Sequence, residues 1–291
     1  MFKHILVPLD GSELAERVLQ PAVALAVALS AKLTLLRVSP QLTLLTADPQ
    51  VYTEMSRMGE DRVHAYLRDV QMDLPDDIYI NLVCENGSAA DVIVQYAETH
   101  AVDLIMMSSH GRSGLSRWVY GSVSEKVLHQ SPCAIVIMRS KAERELFQYN
   151  QLLVPLDGSE LAESALPIAV GLAQTLDAGL HLLRVTEPAH VVFETVSMHQ
   201  VFNEIEAAER EEADAYLKAK LTDLSDMEVT TAVQPSKGSA ANAIIDYVGT
   251  QQIDLIVMSS HGRSGLSRWV YGSIAEKVLQ GSCCATMIIR N

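Results

Sequence analysis

A chain of 291 residues has room for about two domains at ~150 residues each. It is 48% hydrophobic and 20% charged, which excludes wholesale disorder. Its 22 Lys and Arg stand against 36 Asp and Glu, and the resulting net charge of −14 repels DNA, RNA and anionic membrane surfaces, so neither nucleic acid nor membrane is an expected partner.

In chain order, residues 3–9 (KHILVPL) read as a buried strand. Residues 12–30 read as a helix with Ser12 as candidate N-cap, which Pro21 should kink or mark as a first-turn boundary. LTLLRV (33–38) is a second strand, and 54–72 carries mixed charges at helical spacing, a solvent-facing helix. IYINLVC (78–84) is a third strand, followed by a helix over 88–100 opened by Gly87-Ser88, and DLIMM (103–107) is a fourth. A polar Ser/Gly/Arg loop, a helix from about 121 to 130 and a fifth strand, AIVIM (134–138), complete the set.

The whole set then recurs. ILVPLDGSELAE (5–16) returns as LLVPLDGSELAE (152–163), and LTLLRV (33–38) as LHLLRV (180–185), both at an offset of 147. SSHGRSGLSRWVYGS (108–122) returns unchanged at 259–273, where the offset is 151. The second copy therefore has a net four-residue insertion between Val185 and Gly238. A period this long is a domain duplication and not a solenoid, whose repeats run ~20–50 residues. The expected division is residues 1–140, a charged linker at 141–147 without Gly or Pro, and residues 148–291.

Strands alternating with helices, several of them continuously apolar, predict parallel strands buried on both faces. The expected fold class is α/β, two tandem copies of a doubly wound five-stranded parallel sheet of order 3-2-1-4-5. Ligands in such sheets bind at the carboxyl ends of the strands, beside the point where the order reverses. The segments most alike between copies fall there: Pro-Leu-Asp after strand 1 and Ser-Ser-His-Gly after strand 4.

Cys84, Cys133, Cys283 and Cys284 form no C-x-x-C pair and have no zinc spacing, so buried, reduced thiols are expected. The N-terminus runs into the first strand with no secretory leader to read. The longest apolar stretch, Pro21 to Leu29, is far short of the ~18–20 residues of a membrane span. A cytoplasmic location is the expectation.

The repeated loop has the chemistry of an anion cradle. Gly111, Gly114 and Gly121 let backbone approach a ligand closely, Ser122 opens a helix whose free N–H groups suit phosphate oxygens, and Arg112 or Arg117 could add charge. A turn-rich connection without a ligand is the alternative. Fifteen identical loop residues exceed what packing usually fixes, and residues 39–86 and 186–237 have diverged almost completely, so recent duplication does not explain the identity easily. No G-x-x-x-x-G-K-[ST] and no G-x-G-x-x-G occurs. His110 and His261 have no second ligand at metal spacing and read as turn residues, so neither a catalytic nor a metal site is assigned. Trp118 and Trp269 fit a pocket cover, a subunit contact or plain loop packing.

With Ser108-x2-Gly111-x9-Gly121-Ser122 and again Ser259-x2-Gly262-x9-Gly272-Ser273, the chain resembles the universal stress protein family, whose nucleotide-binding members carry G-x2-G-x9-G-[ST] after strand 4. The resemblance covers both copies. Ser108 and Ser259 stand where the motif has its first glycine, which would cost energy if that position needs φ > 0. The resemblance implies a site for ATP, with AMP and ADP as alternatives, accompanied by Mg²⁺. Asp10 and Asp157 would contact ribose or adenine, with Pro8 and Pro155 shaping the wall. Val38 and Val185 would pack on the base, and Met107 and Met258 beside the sugar. Gly111, Arg112, Gly121, Ser122 and Ser124 would hold phosphates, as would Gly262, Arg263, Gly272 and Ser273. Ala275 replaces Ser124 in the second copy, and one polar contact of about 0.5–1.5 kcal/mol would give the first copy up to roughly tenfold tighter phosphate binding.

The family's closing strands pair across a two-fold interface, so the two copies are expected to pair within the chain as a pseudo-dimer, and dimerisation of whole chains is left open. The leading functional expectation is a cytoplasmic stress-response protein whose nucleotide occupancy tunes conformation or an unknown regulatory protein partner. The alternatives are a scaffold or chaperone-like protein without nucleotide, and a slow ATPase or self-phosphorylating protein. The last needs a base and a metal clamp that the sequence does not offer beyond Asp10.

Overall fold

The apolar runs become parallel strands because each is flanked by helices that cover both faces of a sheet. The computed structural model describes residues 1–40, 49–109, 121–139, 148–187, 196–222, 224, 227–236, 238–260 and 272–290. The expected linker, 141–147, lies outside them. The chain divides into two units, the first covering Met1–Gln148 and the second Tyr149–Ile289.

The first unit runs β1 (His4–Leu9), α1 (Glu13–Glu16), α2 (Leu19–Leu29), β2 (Lys32–Ser39), α3 (Pro49–Met72), β3 (Ile80–Asn86), α4 (Ala89–Thr99), β4 (Leu104–Ser108), α5 (Ser122–Gln130) and β5 (Ala134–Met138). Its strands are parallel and ordered β3-β2-β1-β4-β5. The second unit runs β6 (Gln151–Leu156), α6 (Glu160–Glu163), α7 (Leu166–Leu176), β7 (Gly179–Thr186), α8 (Val196–Thr222), β8 (Val229–Pro235), α9 (Ala240–Gln251), β9 (Leu255–Ser259), α10 (Ser273–Gly281) and β10 (Ala285–Ile289). Its order is β8-β7-β6-β9-β10, the same winding. Ile5, Leu36, Ile105, Leu153, Leu183 and Ile256 are fully buried at the centres of the two cores. Each such side chain stabilises its unit by ~1.5–3 kcal/mol.

The predicted single helix over 12–30 is two helices. Ser12 caps α1 by accepting from the Ala15 N–H, and the chain turns at Arg17–Val18 before α2. Pro21 sits in the first turn of α2, where its missing N–H has no partner to lose, and its ring would clash with the carbonyl four residues back, at Arg17. The second unit repeats the break, with Pro167 in the first turn of α7. The expectation of buried thiols holds fully for Cys284 alone: Cys84 and Cys133 are half-buried, and Cys283 is exposed at the turn into β10.

At the amino ends of the sheets, one aspartate per unit ties the switch-point strands together. Asp103 Oδ2 accepts from the backbone N–H groups of Lys3 (2.7 Å) and His4 (3.0 Å), and Asp254 Oδ2 from those of Asn150 (2.9 Å) and Gln151 (3.0 Å). Beside it lies a polar pair in which the histidine stands on the first strand of one unit and on the second strand of the other. His4 Nε2 bonds Thr34 Oγ1 at 2.8 Å, and at the matching positions Gln151 Oε1 bonds His181 Nε2 at 2.8 Å. Burial, in each case the largest cause, holds both imidazoles below their ordinary value of 6.5. The unfolded chain takes up protons as pH falls through 6.5 while the folded chain does not, so stability drops from there towards the lowered folded values. Thermal melting should therefore show a lower Tm at about pH 5.5 than at about pH 7.5, and the difference should shrink in a His4→Gln, His181→Gln double variant. An undiminished difference in that variant would place the acid sensitivity elsewhere.

Candidate functional site

The crevice begins with a missing hydrogen-bond donor. Along a central strand, successive residues turn their N–H and C=O to alternate neighbours. In β1 the Lys3 carbonyl accepts from Lys32 on the β2 side, and the His4 carbonyl from Asp103 on the β4 side. Pro8 therefore faces β4, with no N–H to give. The β1–β2 ladder runs from His4 to Leu9, while β1–β4 pairing covers only Ile5–Leu6 opposite Leu104–Ile105. Pro155 does the same in the second unit. The Asn150 carbonyl accepts from Gly179 and the Gln151 carbonyl from Asp254, which sets Pro155 towards β9, and β6–β9 pairing stops at Leu153–Ile256. Beyond these points the two strands part at their carboxyl ends, at the reversal of strand order.

In the second unit the parting opens a cavity of about 710 Å³, within the ~300–1,000 Å³ of small-molecule sites. Of the sequence-predicted residues, Pro155, Asp157, Val185, Met258, Ser259, Gly272 and Ser273 all line it. Gly262 and Arg263 lie outside the described residues, as do Gly111 and Arg112, the histidines at 110 and 261 and the tryptophans at 118 and 269. The wall also takes residues that the sequence reading missed: Arg184 at the end of β7, and Glu209, Glu212 and Tyr216 along α8. The first turn of α10 faces the cavity through Gly272, Ser273, Ile274 and Ala275. Its N-cap is glycine, which has no side chain with which to occupy the first-turn N–H groups. The helix thus presents donors and the positive end of its dipole to the space.

The aspartates sit on tight turns. Asp10 Oδ1 accepts from the Ser12 N–H (2.9 Å) and hydroxyl (2.5 Å), and Asp157 Oδ1 from the Ser159 N–H (2.9 Å) and hydroxyl (2.6 Å). The turns pass through Gly11 at φ +75° and Gly158 at φ +82°, a region that side-chain-bearing residues avoid. Each carboxylate is half-buried and locked by one oxygen.

The first unit carries the same arrangement on its described residues. Pro8, Asp10, Val38 and Ser108 are half-buried at the strand ends, Met107 is buried, and Gly121 N-caps α5 without a side-chain bond. Ser108 and Ser259 raise no conformational difficulty: each ends its strand, and neither is among the residues with positive φ. A glycine is not required there.

The Ser124 hydroxyl is engaged by the protein itself. The residue is buried, and its hydroxyl lies 2.9 Å from the carbonyl oxygens of both Ser109 and Gly121. A hydroxyl has one proton, and here it ties the end of β4 to the start of α5. Ala275, equally buried, simply lacks the tie. For the expected phosphate contact the Ser124 hydroxyl would have to leave these carbonyls.

Two doubly wound α/β units, each parted at its switch point, define the class. The model of the universal stress protein family matches residues 1–139 and again residues 148–290, so the chain belongs to the universal stress protein family, as a tandem of two copies, and is a stress-response protein. Single-copy relatives match one half each. A universal stress protein of Methanothermobacter thermautotrophicus is 31% identical over 144 residues, 48% of this chain and 97% of its own length. The universal stress protein YxiE of Bacillus subtilis is 29% identical over 147 residues, 49% of this chain and 99% of its own. The crystal structure of a universal stress protein from Archaeoglobus fulgidus superposes with a TM-score of 0.66 at 21% identity, covering 99% of this chain and 96% of that one. Among the described residues no helix is long and apolar enough to cross a membrane.

Ser124→Ala should cost about 0.5–1.5 kcal/mol of stability, read by chemical denaturation, while changing ligand affinity in the first unit less than about twofold. A tenfold loss of affinity at unchanged stability would restore the phosphate role.

Proposed function

We propose that each unit binds an adenine nucleotide in this crevice, ATP by preference with AMP and ADP as alternatives, and that occupancy tunes conformation or the choice of a protein partner in the cytoplasm. The observation that carries the reading is the convergence in one cavity of an uncapped helix N-terminus, an apolar wall and a fixed carboxylate. The first turn of α10 suits phosphate oxygens. Val185 and Met258 offer apolar surface to a base. Asp157 is an acceptor-only group suited to sugar hydroxyls and set apart from the phosphates. Gly262 and Arg263, with Gly111 and Arg112 in the first unit, complete the phosphate side by the family pattern. The fit extends to Mg²⁺ only as an ion carried on the phosphates: among the described residues no group of three His, Cys, Asp or Glu is placed to hold a metal. The nucleotide, when bound, supplies a phosphate chain whose charge the helix end can sense, and the protein's part is to hold and orient it.

By sequence correspondence the two crevices would differ in charge. Counted from Tyr216, Glu212 and Glu209 occupy the places that Arg62 and Gly59 hold ahead of Tyr66. The acid-lined second crevice should prefer fewer phosphates than the first.

The test is calorimetry with MgATP on the full chain freed of nucleotide, beside Gly121→Val and Gly272→Val, which set a branched side chain over the helix start. Two sites are expected, falling to one in each variant. Glu212→Arg should tighten ATP in the second unit about two- to fivefold and AMP less, from one partly screened charge reversal. No binding at millimolar MgATP would sink the reading and favour a scaffold acting through its surfaces.

A further inference from the structure

Beneath each aspartate turn lies a polar chain that the nucleotide reading leaves unused. Arg37 pairs in register with Leu9, and Arg184 with Leu156. Each guanidinium donates to the carbonyl of that leucine, at 3.4 Å and 3.3 Å, one residue before the aspartate. Each also presses on the following glycine: a Cβ on Gly11 would stand 2.7 Å from Arg37 Nη1, and one on Gly158 3.2 Å from Arg184 Nη1. On its other side the Arg37 guanidinium stacks over the Tyr66 ring at 5.2 Å, and that of Arg184 over Tyr216 at 5.5 Å. The phenols donate to Glu16 Oε1 and Glu163 Oε1, both at 2.8 Å, on the short helices that follow the turns. Burial first, and then the bond to glutamate, raises both phenols above their ordinary value, so they stay protonated donors. In the second unit Lys220 adds an ion pair to Glu163 at 2.7 Å, where the first unit has the buried Val70.

The arrangement closes a ring around the Asp-Gly turn: strand end, long helix, short helix and back to the turn. Its members are Arg, Tyr and Glu in both units, and α3 and α8 around the tyrosine keep only Ala-Tyr-Leu at 65–67 and 215–217, with Gln-Val at 50–51 and 200–201 and Glu54 and Glu204 nearer their starts. The arginine and glutamate belong to the repeated segments, but the tyrosine that joins them persists on a helix that has otherwise largely diverged, and a core position there needs only bulk. Lysine could not serve as well, because only a planar guanidinium can cover a ring with one face while its edge donates to a carbonyl.

We propose that Arg37 and Arg184 are positioning residues, which hold the Asp10 and Asp157 carboxylates at the angle that accepts the sugar hydroxyls and so set the preference for a ribonucleotide over its deoxy counterparts. The inference rests on the nucleotide reading above. An Asp-Gly turn is intrinsically pliable, because glycine has the widest conformational choice of any residue. The bonds to Ser12 and Ser159 fix each carboxylate only within its turn. Without the guanidinium beneath it, the turn as a whole loses its fixed direction relative to the strand end, while the backbone of β2 or β7 that carries the base contact and the helix end that faces the phosphates persist.

The test compares ATP with 2′,3′-dideoxy-ATP in the full chain, reading the first unit in the Gly272→Val background and the second in Gly121→Val. Hydrogen bonds to a charged acceptor should make the unaltered crevice prefer ATP by about tenfold or more. Arg37→Lys and Arg184→Lys should lose most of that preference, weakening ATP about tenfold and the dideoxy compound less than about twofold. Tyr66→Phe and Tyr216→Phe, which keep the ring and drop the bond to glutamate, should lose part of it, and they stand in if the arginine variants fail to fold. A fall in affinity for both nucleotides alike, or an intact preference, would overturn the positioning role while leaving the nucleotide reading standing. Failure of the unaltered chain to bind either compound would overturn both.

Discussion

The crevice exists because one strand withholds a hydrogen bond. In a parallel sheet every backbone donor seeks an acceptor on the next strand, and a central strand is normally zipped on both sides. Pro8 and Pro155 remove the donor on one side only, the side facing β4 and β9. Pairing with β2 and β7 continues to the strand end, so the sheet stays whole while its switch point opens. The Asp-Gly turn, the arginine beneath it and the helix end across the gap are all placed by that opening.

The proposed anion site is compatible with an acidic protein. The net charge of −14 is a global property that repels extended polyanions. A helix N-terminus acts within its first turn, where its N–H donors bond an anion directly at short range, inside the reach of the global field. Side chains of the wall then tune the site locally. Glu209, Glu212 and Glu187 gather on the second cavity, with Arg184 below them. A duplicated domain can diverge in this way, keeping the backbone donors that define a ligand class and altering the charges that choose among its members.

Much of this was legible in the sequence, because periodicity and internal repetition report on burial and on backbone placement. The strands at 33–38, 103–107 and 134–138 and the cap at Ser12 are found within a residue or two. The long solvent-facing helix begins earlier than read, at Pro49; its first turns carry Val51, Met55 and Met58 at helical spacing, and these lie exposed. The break between α1 and α2 was signalled by Pro21 but falls four residues ahead of it, as the geometry of the proline ring requires. Hydroxyl roles were less legible. Ser124 looked like a ligand contact by pattern, and only its burial against two carbonyls reveals the structural tie. The arginine–tyrosine–glutamate ring joins residues 16, 37 and 66, far apart in the chain. Its one distinctive sequence signal is the return of Tyr66 as Tyr216 within otherwise divergent segments.

The central claim is that the opening made by Pro8 and Pro155 is a nucleotide site in both units. The most direct measurement is a crystal structure of the chain grown with saturating MgATP. The account predicts a base against Val38 and Val185, sugar hydroxyls within hydrogen-bond distance of Asp10 and Asp157, and phosphates at the first turns of α5 and α10. Nucleotide bound elsewhere, or crevices without nucleotide at saturation, would contradict it.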